Sequence, residues 1–497
     1  MLVKLRALSE ESGSALVFVV VLGAALVLMS VTLVDLVRGE SSQAARGVTR
    51  DAAFHAAEAG LDDYTSKLLE DNQYFLHDVA AGESTRKAAT SCSGGGSTVS
   101  ATSTTPAVWT YGIDWSYCSG KNNWKQLSNG YEYNLQVSGT TGSQQYVDIV
   151  ATGRKQGTTS PVRVIEERLR PASIADFQMI ANANISYGAT AVTTGKLYAG
   201  QSASCPSSCT KYNVNHAGTA YADIYAEGSV TGNPTMLNGA QKYTSANIRT
   251  VLKSPILFAP FASSLVDISR AAQLSGLYLN NASVVAWQLT FNSNGTLNVK
   301  TCTSTNTTSS TPPTCSTAPA PYNVAVPVPT NGAIYVEQSV IIAGGTSSCT
   351  DPAPRSLTNA VCVNGRVTVA SNNEIVIGDD IGYVATGDDV FGLIAKGDMT
   401  VAQWAPCPLS WRAGTIAQTG QWHSAAASLT CNSGNGTTTF AMSFTGSTAT
   451  AQGGSMTPQF SSRTYNYDAS LSYLQPPWYP TIDFGYTVLL FRELPPG

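Results

Sequence analysis

The chain has 497 residues, enough for two or three folded units. Charged residues make up only 12% and the formal net charge is −4, with no basic block, which argues against a protein that works by neutralising phosphates. Gly, Ser, Thr, Asn and Ala dominate instead, the composition of an extracellular, turn-rich and strand-rich chain.

Residues 1–13, "MLVKLRALSEESG", are charged, and from Ala15 to Val34 there is no charge at all. A run of about 20 apolar residues suffices for a helix to cross a bilayer core of ~30 Å. It is longer than the ~7–15 residues of a cleaved secretory h-region. A transmembrane part is therefore expected over 15–37. The following stretch has no proline, and Phe54, Ala57, Leu61, Tyr64 and Leu68 recur at 3-4-3-4 spacing, one apolar helical stripe. One continuous helix over 14–72 is the simplest expectation, with a span followed by a separate amphipathic helix as the alternative.

Beyond a Ser/Thr/Gly-rich stretch, the runs "YEYNLQVSG", "QQYVDIVATGR" and "PVRVIEERLRP" are strand-like and joined by short turns. They predict an antiparallel meander, so that 73–171 forms a small α+β head. From 172 to 497 the character changes. Phrases such as "YAEGSVTG", "YVEQSVIIAGG" and "IAKGDMTVA" repeat an aliphatic pair, a small or acidic residue and a turn, with no helical period of useful length between them. That self-similarity predicts a large all-β domain in the form of a right-handed parallel β-solenoid, with a jelly-roll-like sandwich as the alternative.

Ten cysteines fall as sequence neighbours: Cys92 and Cys118, Cys205 and Cys209, Cys302 and Cys315, Cys349 and Cys362, Cys407 and Cys431. An even count at short intervals suggests local disulfides formed outside the cytosol. Cys205 and Cys209 could suit zinc by spacing, but no second CxxC or HxxxH pair accompanies them.

Two Gly-Asp-Asp turns place Asp379, Asp380, Asp388 and Asp389 close together in sequence. Such carboxylates can serve as turn formers, hold calcium through oxygen ligands, or act as acid and base on a polysaccharide. Turn chemistry is the first expectation and calcium the only cofactor considered. His216 and His423 sit in no nucleophile or metal motif and are expected to be solvated or hydrogen-bonded at the surface. No GxSxG, HExxH or P-loop pattern is present. Trp115, Trp124, Trp404, Trp411, Trp422 and Trp478 lie in polar or Gly/Pro-rich context; exposed, they would stack on sugars or partners, and otherwise they cap the core.

The segment Arg50 to Tyr64, "RDAAFHAAEAGLDDY", following "GSALV" at Gly13–Val17, resembles PilX-type N-terminal domains of type IV pilus assembly proteins. The likeness covers roughly residues 10–72, extends loosely to Pro171, and is echoed by the ending "YDASLSYLQPPWYPTIDFGYTVLLFREL". It implies a leader, 1–13, clipped between Gly13 and Ser14 by a prepilin peptidase. The retained helix would then be an inner-membrane anchor and later an assembly element, through Phe18, Phe54, Glu58 and Leu61. Where major pilins carry a glutamate five residues after cleavage, this chain has Phe18, and Ser14 replaces the usual aromatic at the new terminus. Those departures suit a minor subunit.

The expected function is thus a non-enzymatic minor pilin or pilus assembly protein, extracytoplasmic in bulk, used for filament priming or adhesion. Its expected partners are other pilin subunits, the assembly machinery, the membrane, and surface glycans or proteins, with no nucleic acid. The alternatives are a membrane-tethered polysaccharide-active enzyme and a single-pass surface protein unrelated to pili.

Overall fold

The computed structural model describes residues 12–70, 113–114, 124–140, 146–159, 162–202, 209–252, 254–256, 258, 261–350, 357–385, 388–426, 428, 440–454 and 459–495. One helix, α1, spans Ser12–Glu70, 59 residues and roughly 90 Å. Its two halves meet different surroundings. From Phe18 to Val37 the described aliphatic side chains are bare, Phe18 at 67% exposure and Leu28 at 67%. From Ala53 onward one face is buried: Ala57, Leu61, Tyr64 and Leu68 pack with Tyr133, Leu135, Val147 and Ile149, and Phe54 rests against them half-buried.

Small residues explain how closely α1 lies on its sheet. Ala53, Ala56 and Ala57 are fully buried. A Cβ on Gly153 would sit 2.0 Å from the Ala53 carbonyl oxygen, and one on Gly60 would sit 2.7 Å from the Tyr133 ring. Only glycine allows backbone and helix to approach this closely at both points.

The sheet beneath α1 is antiparallel, in the order Ile113–Asp114, Tyr131–Thr140, Tyr146–Lys155, Val162–Ser173, Thr481–Leu494, with Lys125–Gln126 also paired to Tyr131–Thr140. Val147, Ile149 and Ala151 alternate inward along the third of these, the period of a half-buried strand. Directly opposed charges tie its strands: Glu132 to Arg154 at 2.7 Å, Asp148 to Arg168 at 2.6 Å and Glu166 to Arg492 at 2.6 Å. The strand that comes from residues 481–494 completes this sheet, so the whole β-rich region lies between two neighbouring strands of the head.

Within that region most pairing is parallel. A 14-stranded sheet has the central order Lys242–Tyr243, Ile224–Ala226, Lys196–Ala199, Phe177–Ala181, Ala441–Thr450, Leu409–Ala417, Val390–Ala395, Arg366–Ser371, Ala333–Val336, Leu277–Leu279. An 8-stranded sheet runs alongside through Ala286–Asn292, Ser339–Ile342, Ile375–Ile377, Met399–Val401 and Trp422–Ser424. Ile334, Val340, Val369, Ile377, Phe391 and Val401 belong to the fully buried core they share.

Two expectations are corrected here. The right-handed solenoid, with each coil stacked on the last, does not form. The strand order runs outward from Phe177–Ala181 to Lys242–Tyr243, restarts at the far edge with Leu277–Leu279, and returns until Ala441–Thr450 pairs beside Phe177–Ala181. Antiparallel hairpins at 286–302 and 347–363 and the helix α2, Phe261–Ser275, interrupt it further, and the sheets do not close. The helix was unexpected, although Leu265, Ile268, Ala271 and Ala272 form its buried stripe at 3-3-1 spacing.

The membrane-spanning assignment of 15–37 is also overturned: among the described residues no helix is long and apolar enough to cross a membrane. Inner-membrane anchoring by α1, the expected localisation, is therefore unsupported.

Candidate functional site

The seam where Phe177–Ala181 meets Ala441–Thr450 opens into a cleft of about 540 Å³. Its walls come from Ile185–Tyr187 on one side and Ser462–Asn466 on the other, with Trp422 and Phe444 below. Gln178 ties the Ser462–Asn466 wall to the turn before Lys196–Ala199. Its Oε1 accepts from the N–H groups of Thr194 (3.0 Å) and Gly195 (2.8 Å), and its Nε2 donates to the Tyr465 carbonyl at 2.9 Å.

A row of rings leads from the core to the opening. Trp411 lies 4.6 Å from Phe444, Phe444 5.4 Å from Trp422, Trp422 6.0 Å from Tyr465, and Tyr465 6.3 Å from Tyr187 (centroid distances). Strand register makes part of this row: Trp411, Phe444 and Tyr465 are direct cross-strand partners. Burial pushes the Tyr465 phenol up to about 12 and the Tyr187 phenol well above its usual range, so both are neutral hydrogen-bonding hydroxyls. Among the described residues Arg463 is the one charged residue in the lining, and none of them is acidic.

His216 backs the Tyr187 ring at 5.3 Å and is fully buried, contrary to the surface role expected for it. Its Nδ1 accepts from the Gly218 N–H at 3.1 Å and its Nε2 lies 3.1 Å from the Thr193 hydroxyl. Burial lowers its pKa, so it is a neutral bridge from its strand to Thr193 and to the turn at Gly218. His423 is part-exposed, with Nδ1 3.0 Å from the Ser424 carbonyl.

The tryptophans are redistributed as well. Trp404, Trp411 and Trp422 are buried at 5%, 1% and 4% exposure, so they fill the core and do not offer open stacking faces. Trp124 is capped by the Arg154 guanidinium 3.6 Å above its ring, and Trp478 donates to the Asn331 carbonyl at 2.8 Å. Trp115 lies outside the described residues.

The four Gly-Asp-Asp residues do not converge. Asp379 accepts from the N–H groups of Gly345 and its neighbour Asp380, both at 2.8 Å. Asp380 accepts from Ser410 at 2.6 Å. Asp389 accepts from Gly365 (2.6 Å), Ala385 (2.6 Å) and Val384 (3.1 Å), whereas Asp388 is exposed. Among the described residues no group of three or more His, Cys, Asp or Glu is placed to hold a metal. A second cleft, about 430 Å³, contains Asp379 with Lys300, Trp404 and Cys315. Burial outweighs the backbone hydrogen bonds and pushes Asp379 up to about 6; among the described lining residues it is the single carboxylate, where most glycosidases use a pair.

Of the residues assigned to assembly, Phe18 is exposed, while Leu61 is buried in the head and Phe54 packs against it. Glu58 accepts from or shares a proton with His55 at 2.8 Å on the same helix. At the proposed cleavage point Gly13 and Ser14 are helical, and the Ser14 side chain lies outside the described residues, as do Cys92, Cys118, Cys205 and Cys431. Cys302–Cys315 and Cys349–Cys362 are disulfides, and Cys209 and Cys407 are disulfide-bonded too.

No family model and no curated protein matches the chain. Among solved structures it is similar to the competence-associated pilin ComZ from Thermus thermophilus, at 12% identity over 90% of this chain and 97% of that one. The TM-score of 0.29 is too low for that likeness to carry any argument about fold or role.

Proposed function

We propose that the chain is a non-enzymatic, pilin-like subunit or assembly factor of a type IV pilus. In this reading the first half of α1 packs among helices of other subunits, and the β-rich region is displayed for filament priming or adhesion. The observation that carries it is the division of α1. Its second half is fixed to a small antiparallel sheet, and its first half presents Val20, Leu22, Leu26, Val27 and Val31 to no partner among the described residues. A contiguous apolar surface of this kind marks an interaction site. The disulfides fit an oxidising compartment, as a displayed domain requires. The uptake of Asp379, Asp380 and Asp389 by backbone N–H groups supports a display role over catalysis.

Filaments sheared from cells that express the chain are expected to contain it by mass spectrometry. Leu26→Asp combined with Val31→Asp should remove it from the filament fraction while leaving the melting temperature of the purified chain unchanged. Absence of the wild-type chain from filaments would overturn the reading.

A further inference from the structure

We propose that the cleft between Ile185–Tyr187 and Ser462–Asn466 binds an acidic saccharide, the sugar rings on Tyr187 and Tyr465 and a uronate carboxylate on Arg463. At about 540 Å³ it has the size of a small-ligand site, room for a short oligosaccharide. Tyr187 and Tyr465 meet edge to face, interplanar angle 77°, so their rings present two differently oriented apolar faces, each with a hydroxyl. Such amphipathic surfaces suit a pyranose, which is apolar on its C–H faces and polar at its rim.

The charge pattern chooses among saccharides. Arg463 forms no ion pair with any described residue, and one of its Nη atoms donates to the Phe460 carbonyl. A guanidinium has five N–H donors, so several remain, in a geometry that matches a carboxylate. Arg463 and Tyr465 alternate to the same face of their strand, placing the cation beside a ring. Asn466 and Thr464 alternate to the other face of the strand and are also in the lining, and their side chains make no hydrogen bond to a described residue. The remaining lining is neutral, so nothing repels an anion although the chain as a whole is net negative.

This site deepens the adhesion part of the proposed function and rests on it for its biological sense. The test uses the purified full chain and does not depend on filament incorporation. Oligogalacturonate, a neutral gluco-oligosaccharide of equal length and a short single-stranded oligonucleotide are titrated by calorimetry at two salt concentrations. Oligogalacturonate is expected to bind at least about tenfold more tightly than either of the others, and more weakly at high salt. Arg463→Gln should cost about tenfold or more, Arg463→Lys less, and Tyr465→Ala should weaken binding with an unchanged salt slope. Near-ultraviolet circular dichroism checks that each variant is folded, and Asn466→Ala serves where one is not. Equal binding of acidic and neutral sugars, preference for the oligonucleotide, indifference to Arg463→Gln, or no binding of any probe would each overturn the proposal. Arg463→Gln should still enter filaments; absence of the wild-type chain from filaments, with its saccharide binding intact, would count against the pilus assignment and not against the site's existence.

Discussion

A carboxylate drawn out of water yet hydrogen-bonded by two backbone N–H groups is pulled in opposite directions. At Asp379 burial prevails and raises the carboxyl to about 6, above the usual 3.8 of an unfolded chain. Because the folded value is the higher one, its contribution to stability is complete below about pH 4 and lost as pH rises through 6. After screening, that loss should be on the order of 2 kcal/mol by pH 7. Urea unfolding of wild type and Asp379→Asn at pH 4.5 and 7 tests it: the variant should gain on wild type at the higher pH, and a constant difference would contradict the assignment. Asp468 has the opposite sign. Burial would raise it, but the two bonds from Arg412, at 2.7 and 2.9 Å, and their charge attraction hold it below the ordinary range. Its contribution is present above about pH 4 and lost as pH falls through its folded value. Asp468→Ala should cost about 3 kcal/mol or more at pH 7, since it strands a buried guanidinium, and the cost should shrink in acid.

At the scale of elements, the contact between α1 and the head sheet depends on the absence of side chains. Gly153→Ala would drive a methyl group into the Ala53 carbonyl, and overpacking of this kind costs about 1–3 kcal/mol. Thermal unfolding should show the loss, while Gly157→Ala, where a Cβ meets nothing but the backbone is at φ 69°, should cost less than the steric clash does. The disulfide Cys302–Cys315 joins directly opposed positions on paired antiparallel strands, Thr296–Cys302 and Cys315–Thr317. Serine at both positions should remove about 3 kcal/mol, the value expected for a loop of that length. These elements were legible in the chain where the signal is local. The 3-4 stripe through Leu61, Tyr64 and Leu68 and the neighbouring cysteines need only nearby residues to be read. The "AFHAAEAGL" segment reads two ways: Ala57 and Leu61 pack the head, as expected for the second half of the helix, but an apolar stripe looks the same whether it faces its own sheet or another subunit. α2 was missed because Ser, Asp and Gln dilute its stripe in "FASSLVDISRAAQLS".

At the scale of the whole molecule, the decisive contacts are long-range. Strand Thr481–Leu494 pairs with Val162–Ser173, and Ala441–Thr450 with Phe177–Ala181; each joins segments remote in the chain. Repeated aliphatic phrases specify that strands can stack in parallel, but say nothing about which strand follows which across a seam. The solenoid expectation failed for that reason, and the cleft was invisible for the same one, since Tyr187 and Tyr465 become neighbours only through the seam. Trp411 and Trp422 occur in polar sequence context and lie in the core, the core-capping alternative of the two expected for them. What the described residues leave over is one bare apolar half-helix, attached to a head in which two neighbouring strands flank the β-rich region in sequence. The central claim is that this half-helix meets other subunits. Single cysteines placed at Leu26 and at Leu61, carried in otherwise functional chains, and a thiol-reactive cross-linker applied to sheared filaments test it most directly. The account predicts cross-links to another subunit from position 26 and none from position 61; no cross-link at 26, or equal cross-linking at both, would contradict it.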